Sequence, residues 1–237
     1  MKGRLRGLPL RTAITIFLLS ARLFALEPGQ FYTDGPQSKN ALALTFDDGP
    51  GLFTPQILEL LDRQKVKATF FMNGDQVQIR PQIAKDVSAR GHEIGDHTWS
   101  HVNFYAYEKK YGKGKTEIKI REEIQKSKGI IEKTCGTKIA LLRMPNGFNP
   151  RPNRPWMKEI AKDFGVALVN WTFGEDWQKI PEEKMADDYL KWVKPGAILL
   201  FHDGGRGRGK TVRIVSKVIE KARAKGLEFV TAGELLR

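Results

Sequence analysis

The sequence predicts an α/β protein with about seven parallel strands, and three observations carry that prediction. Short continuous apolar runs recur along the chain, among them 41–46, 66–71, 166–170 and 197–201. Strands buried on both faces of a parallel sheet read as such runs. The runs alternate with stretches of helical apolar spacing. The unusual polar residues come directly after the runs, where α/β proteins build their binding rims. A closed α/β barrel and an open α/β sheet both satisfy this pattern.

Taken in order, 41–46 is a buried strand that runs into Asp47-Asp48-Gly49-Pro50, a turn signal. Residues 54–64 form a helix with Ile57, Leu58, Leu60 and Leu61 on one face. A second strand spans 66–71, and a helix spans 81–90 with Gly91 at its end. Residues 92–95 make a short third strand. Residues 102–115, with Phe104, Tyr105, Tyr107 and Tyr111 among lysines, read as a polar, aromatic loop. That loop offers either faces for sugars or a lid filled by its own packing. Thr116 caps the next helix, which reaches Lys133, and 139–142 is a strand. Asn153 and Pro155 open a helix to Phe164. A strand at 166–170, a helix at 181–193 and a strand at 197–201 follow, then a helix at 210–225 and a last strand at 227–230.

The first 25 residues differ from the rest. Lys2, Arg4, Arg6 and Arg11 precede a mostly apolar stretch from 13 to 26, and no acidic residue occurs before Glu27. A basic head, a short apolar run and small residues near Ala25 read as an export signal or an N-terminal anchor. The apolar run is shorter than the roughly 20 residues of a spanning helix and contains Arg22. The domain plan is therefore a signal or anchor at 1–25, a lead-in at 26–39 and one catalytic domain at 40–237. Membrane contact is expected only if the N-terminal segment stays attached.

The formal net charge is +13, from 40 basic and 27 acidic residues. Without the five basic residues of the first 25 it is +8. A basic surface suits an anionic wall polymer, although lysines spread over helical faces are also ordinary solvated surface. Zinc-finger, RNP-type and recognition-helix signatures are missing, so nucleic acid is not an expected partner. Cys135 stands alone, which excludes an intrachain disulfide and a thiolate metal site.

The chemistry concentrates in few residues. His97 and His101 lie four apart, a spacing that a helix or a turn can bring to one face. Two imidazoles and one carboxylate, with a position left for water, is a recurrent catalytic metal arrangement. Asp48 supplies the carboxylate, which leaves Asp47 free as a base. An acidic turn capping the next helix is the plainer reading of the pair taken alone. Arg143 follows an apolar strand, and a buried guanidinium needs a carboxylate, for which Asp47 is the candidate. His202 ends the 197–201 run, either as a core histidine or as a ring free to move a proton. His92 starts a strand, away from the rim, and reads as structural.

Five segments carry a resemblance: Thr45-Phe46-Asp47-Asp48-Gly49, His97-Thr98-Trp99-Ser100-His101, Arg143-Met144-Pro145-Asn146-Gly147, Asp176-Trp177 and Leu199-Leu200-Phe201-His202-Asp203. In order, they resemble the motifs of the polysaccharide deacetylase family, also called the NodB-homology family or carbohydrate esterase family 4. The resemblance covers roughly residues 40–235 and implies a distorted (β/α) barrel. It implies a metal-dependent hydrolase that removes N-acetyl groups from an extracellular amino-sugar glycan, peptidoglycan or chitin-like. On that resemblance Asp47 is the general base, Asp48, His97 and His101 are the metal ligands, and Arg143 orients Asp47. His202 is the general acid positioned by Asp176, the Asn146 backbone N–H meets the oxyanion, and Trp177 and Leu200 receive the acetyl methyl. Glu175 is a neighbouring alternative to Asp176.

The implied cofactor is one divalent ion, Zn2+ first, with Co2+, Mn2+ or Ni2+ compatible with the same donors. The family usually carries Arg-Pro-Pro-Tyr/Phe-Gly where this chain has Met144 and Asn146, which alters the stacking surface but not a backbone donor. Readings that remain are an O-acetyl esterase on xylan or a wall polymer, a deacylase of a small or lipid-linked amide, and a non-catalytic glycan-binding protein on the same fold.

Overall fold

A computed structural model describes residues 26–148 and 154–237. The export or anchor segment at 1–25 lies outside the described residues. Among the described residues there are eight strands: β1 (Phe31–Tyr32), β2 (Ala41–Gly49), β3 (Thr69–Met72), β4 (Glu93–Asp96), β5 (Leu141–Leu142), β6 (Ala167–Val169), β7 (Ile198–His202) and β8 (Glu228–Phe229). All pairings are parallel. Seven strands follow the path β1-β6-β5-β4-β3-β2-β7, and β8 branches onto β2. The predicted last strand is therefore β8, off the main path. The seventh strand of the path is β1, which lies in the expected lead-in and pairs with β6 through Phe31 and Leu168.

The sheet curls into a distorted barrel whose seam is thin. No ladder joins β1 to β7 among the described residues; instead Phe173, beyond β6, forms one parallel bridge with Leu199 of β7. Side-chain alternation sets the two faces. Leu42, Leu44 and Phe46 point to the helices and join the main core. Ala41 and Ala43 point inward, with Phe71, Leu141, Ala167, Val169 and Ile198. Small residues on β2 leave room for Phe71 inside a narrow barrel. Thr45 and Asp47 continue the inward register, with Asp47 opposite His202 across the β2–β7 pair. The site is thus the last inward layer at the carboxyl ends of the strands.

The helices are α1 (Thr54–Arg63), α2 (Gly74–Ile79), α3 (Pro81–Ala89), α4 (Phe104–Tyr111), α5 (Lys113–Cys135), α6 (Pro155–Asp163), α7 (Glu182–Lys191), α8 (Gly209–Ala224) and α9 (Ala232–Leu236). In α1, Ile57, Leu58, Leu60 and Leu61 are buried, as their spacing predicts. Burial of such side chains contributes roughly 1.5–3 kcal/mol each. Gly91 follows α3 at φ 73°, a left-handed stop suited to glycine. No helix among the described residues is long and apolar enough to cross a membrane.

The 102–115 segment is not a loop. Asn103 caps α4 by accepting from the Ala106 N–H at 3.0 Å, and α5 begins at Lys113 rather than Thr116. Only Phe104 of α4 is buried, so the helix lacks the broad apolar stripe that marks helices in sequence. Tyr107 and Tyr111 pack on each other at 4.6 Å between centroids. The helices α2 and α9 also escape sequence reading because they are short.

His92 is structural, as its position predicts. Its Nδ1 accepts from the Ala68 N–H at 3.2 Å, and its ring lies edge-on to Phe70. Burial first, then the nearby Lys67 and Arg90 charges, hold its pKa down to about 4 from 6.5. Between those pH values the unfolded chain binds a proton that the folded chain does not. His92 therefore favours the folded state fully above pH 6.5, and this contribution falls away as pH drops toward 4. His92→Gln, which keeps an acceptor for Ala68, is expected to flatten the loss of thermal midpoint between about pH 7 and about pH 4.5. Parallel melting curves for the two proteins across that range would contradict this.

Candidate metal centre and active site

Asp47 and Asp48 both reach the cavity, which a regular strand forbids because adjacent side chains face opposite ways. The chain solves this with a bulge. Asp47 pairs with Phe71 but Gly49 pairs with Met72, so Asp48 is the extra residue, at φ 69°. The bulge is clamped from β7: the Asp203 and Gly204 N–H groups donate to the Asp47 carbonyl at 3.2 and 3.3 Å. Gly204 is required by this approach, since a Cβ there would sit 2.0 Å from the Asp48 carbonyl oxygen.

His97 and His101 follow β4 in a turn, not a helix. Thr98 and His101 adopt φ 67° and 54°, and the turn folds the two rings to 5.1 Å between centroids. The Asp96 carboxylate accepts from the Thr98 N–H at 2.8 Å, and the buried Glu123 of α5 accepts from the Ser100 N–H at 2.7 Å. His97 Nδ1 donates to the Arg143 carbonyl at 2.7 Å, which turns its Nε2 toward Asp48.

The three donor atoms fit a metal ion. Asp48 Oδ1 lies 3.5 Å from His97 Nε2 and 3.3 Å from His101 Nε2, and one ligand atom from each residue lies within 4.8 Å of the others. Donors about 2.0–2.2 Å from a tetrahedral ion are themselves about 3.4 Å apart. Asp48 Oδ1 is buried and has no hydrogen-bond partner, a cost that a cation relieves. Burial raises the Asp48 pKa, but the imidazoles of His97, His202 and His101 around it outweigh burial and hold the carboxyl below the usual range. Burial and the His97 charge lower the His101 pKa. Both shifts favour the deprotonated, ligating forms.

Arg143 is wholly buried beneath the site. Its Nε donates to the Val169 carbonyl at 3.0 Å and its Nη2 to the Asn170 carbonyl at 2.8 Å. Its Nη1 donates to Thr45 Oγ1 and to Asp47 Oδ1, each at 2.8 Å. Phe71 lies under the guanidinium at 4.0 Å. Asp47 Oδ2 is left facing His97 Nε2 at 3.8 Å.

On the opposite wall, His202 Nδ1 donates to Asp176 Oδ1 at 2.6 Å, and the His202 N–H donates to Asp176 Oδ2 at 2.9 Å. Its Nε2 points inward, 4.0 Å from Asp48 Oδ2. Burial lowers the His202 pKa, but the hydrogen bond and charge of Asp176 outweigh it, so the net shift is upward. Glu175 does not contact His202. Trp177 stands edge-on to His202 and is 47% exposed, so it forms part of the rim. His202 and Trp177 border one cavity of about 380 Å3 with Asp47, the three donors, Leu200, Met144, Asn146 and Trp171. Asn146 sits at φ 63°, and its N–H meets no acceptor among the described residues.

Three contributors escape sequence reading. Thr211 Oγ1 donates to Asp176 Oδ2 at 2.8 Å. Tyr189 takes the Glu175 and Asp176 N–H groups at 3.0 and 3.2 Å and donates to the Leu200 carbonyl at 2.7 Å. Arg208 lines the cavity while donating to the Gly204 carbonyl. Thr211 and Tyr189 sit at core positions of amphipathic helices, where their pattern is that of packing residues. None of Phe104, Tyr105, Tyr107 and Tyr111 borders the cavity; Tyr105 instead donates to the Gly147 carbonyl at 3.0 Å.

The polysaccharide deacetylase family model matches residues 34–169, more than half of the chain. The chain belongs to the polysaccharide deacetylase family. It is 36% identical over 217 residues to a peptidoglycan-N-acetylglucosamine deacetylase of Bacillus cereus, covering 90% of this chain and 96% of that protein. It is 28% identical to a chitooligosaccharide deacetylase of Bradyrhizobium, covering 87% and 94%. Among solved structures, the Bc1960 peptidoglycan N-acetylglucosamine deacetylase superposes with TM-score 0.76 at 30% identity, covering 88% and 93%. A CE4 family pseudoenzyme from Bacillus anthracis superposes equally well, with TM-score 0.76 at 27% identity, covering 90% and 70%. Deacetylase-family folds thus occur with and without activity.

Two outcomes are expected of this centre. Elemental analysis of purified protein is expected to find one divalent ion per chain, and Zn2+ at about a hundredfold excess over its Kd to add about 2.7 kcal/mol of stability. Asp48→Ala should lose both; retention of both would remove the assigned ligand set. Arg143→Ala should cost about 3–5 kcal/mol in urea unfolding, because it leaves the buried Asp47 carboxylate unpaired. A loss below about 1 kcal/mol would show that the pair is not holding the barrel interior.

Proposed function

We propose that this protein is a metal-dependent hydrolase that removes N-acetyl groups from an extracellular amino-sugar glycan of the peptidoglycan or chitin type. The carrying observation is the convergence of three units on one cavity: the Asp48, His97 and His101 donors, the Asp47–Arg143 pair, and the His202–Asp176 pair. A binding protein needs no such opposition of a carboxylate and a supported imidazole. The names of the similar proteins point to the same substrate class.

Asp48, His97 and His101 would hold a divalent ion, Zn2+ first with Co2+, Mn2+ or Ni2+ compatible with the same donors, which would supply Lewis acidity to the carbonyl and to water. Asp47 accepts a proton from the attacking water through Oδ2, because Oδ1 is engaged by Arg143. The acetyl carbonyl oxygen gains negative charge as the water adds, and the Asn146 N–H donates to it. His202 Nε2 gives its proton to the glycan nitrogen as the carbon–nitrogen bond breaks. Acetate and a free amine leave. Protonation matters more for an amide than for an ester, since an amine anion leaves poorly. Asp176 keeps the Nδ1 proton in place and supports the imidazolium. Trp177 and Leu200 wall the methyl. The basic, then apolar, segment at 1–25 directs the chain out of the cytoplasm to the extracellular side, where such glycans lie.

Acetate release from N-acetylglucosamine oligomers and from peptidoglycan is the direct assay. Wild type is expected to release acetate and Asp47→Asn to lose at least about 100-fold in kcat. Asp176→Asn removes the charge that raises the His202 pKa, so the alkaline limb of the kcat profile should move to lower pH. Absence of acetate from every N-acetylated glycan would overturn the proposal. An unmoved alkaline limb would remove His202 as the acid.

A further inference from the structure

A second cavity of about 500 Å3 opens on the far side of Asp48 and His101, which it shares with the catalytic cavity. Its walls come from three places. Gly51 and Leu52 follow β2, while Asn73, Asp75, Gln76 and Arg80 lie on and around α2. Gly205 and Arg206 belong to the loop after β7. The size falls in the range of pockets that hold a small molecule, roughly 300–1,000 Å3.

The lining has the mixed character that a sugar ring demands. Leu52 is 71% exposed, an apolar side chain held in solvent beside polar neighbours. An isolated exposed leucine needs no explanation, but this one borders the cavity that adjoins the proposed metal site. Asp75 and Gln76 supply a carboxylate and an amide for hydroxyls, while the buried Asn73 donates its amide N–H groups to the His97 and Thr98 carbonyls. Arg80 donates to Gln76 Oε1 at 2.5 Å, which fixes one end of its guanidinium. Neither Arg80 nor Arg206 forms an ion pair among the described residues, although twelve other acid–base pairs of Lys or Arg do form there. Asp75 is the one carboxylate of the cavity besides Asp48. Two unpaired guanidinium groups from separate elements make this wall a receptor for an anionic group.

We propose that this cavity is a neighbouring-sugar subsite that selects a glycan unit bearing a carboxylate, with Arg80 and Arg206 meeting the carboxylate and Leu52 under the ring. The inference rests on the proposed glycan deacetylation, since it seats the unit next to the one being deacetylated. It directs the chain toward a polymer whose sugars alternate between neutral and acid-substituted units and away from a uniformly neutral one.

The test is equilibrium binding by calorimetry to the full protein. Three tetrasaccharides serve as probes: one with a muramyl lactyl carboxylate, its lactyl carboxamide, and neutral N-acetylglucosamine tetramer. Wild type is expected to bind the acid about tenfold more tightly than the carboxamide. The double variant Arg80→Gln, Arg206→Gln should lose that preference while holding the neutral tetramer as wild type does. Leu52→Ser should weaken all three alike. Equal wild-type affinity for acid and carboxamide would overturn the proposal, as would a double variant that weakens all three probes equally. Unchanged binding by Leu52→Ser would remove Leu52 as the platform. Acetate release from the neutral tetramer is read separately. An acid preference that depends on the two arginines, without acetate release from any probe, would sink the deacetylase reading and leave the subsite standing.

Discussion

One buried residue organises both halves of the chemistry. The Arg143 guanidinium fixes Asp47, the proposed base, while the Arg143 carbonyl takes the proton on His97 Nδ1 and so aims the ligating nitrogen. The same side chain ties β2, β5 and the end of β6 through Thr45, Val169 and Asn170. A guanidinium without water is costly unless every donor is satisfied. Here four of the five N–H groups are answered, by two backbone carbonyls, a threonine and one carboxylate, and burial lowers the Arg143 pKa against the opposing pull of Asp47. The strand ends, the base and the first imidazole are therefore fixed relative to one another before any ligand arrives.

Much of this could be read from the residues. Asp47, Asp48, His97, Arg143 and His202 are titratable groups at the ends of apolar runs, and such groups rarely occupy those positions without a partner. The alternation of runs also indicated a parallel α/β sheet. The bulge at Asp48 was hidden, because a register shift depends on the partner strand and not on the strand's own letters. Thr211 and Tyr189 were hidden for a different reason: at helical spacing a hydroxyl that supports Asp176 looks like any residue facing the core. The helix α4 was hidden because its aromatic residues pack on each other and on neighbouring loops rather than along one stripe.

The comparisons give the fold less authority over activity than the site has. A superposition as close to a pseudoenzyme as to a deacetylase means that backbone similarity is neutral on catalysis. What separates the two possibilities is the site, and here the proposed acid, base and ligands all border one cavity. The departure at Met144 and Asn146 leaves the backbone donor of Asn146 in place and changes the side chains that line the cavity beside it.

The seam of the barrel gives the His202–Asp176 contact a second duty. Between β7 and the chain beyond β6, closure relies on the Phe173–Leu199 bridge, on Thr172, which exchanges hydrogen bonds with Ile198, and on the two bonds that Asp176 makes to His202. The acid end of the cavity therefore doubles as a mechanical stitch. A change at Asp176 would therefore loosen the wall of the cylinder as well as free the ring, because the same carboxylate laces both.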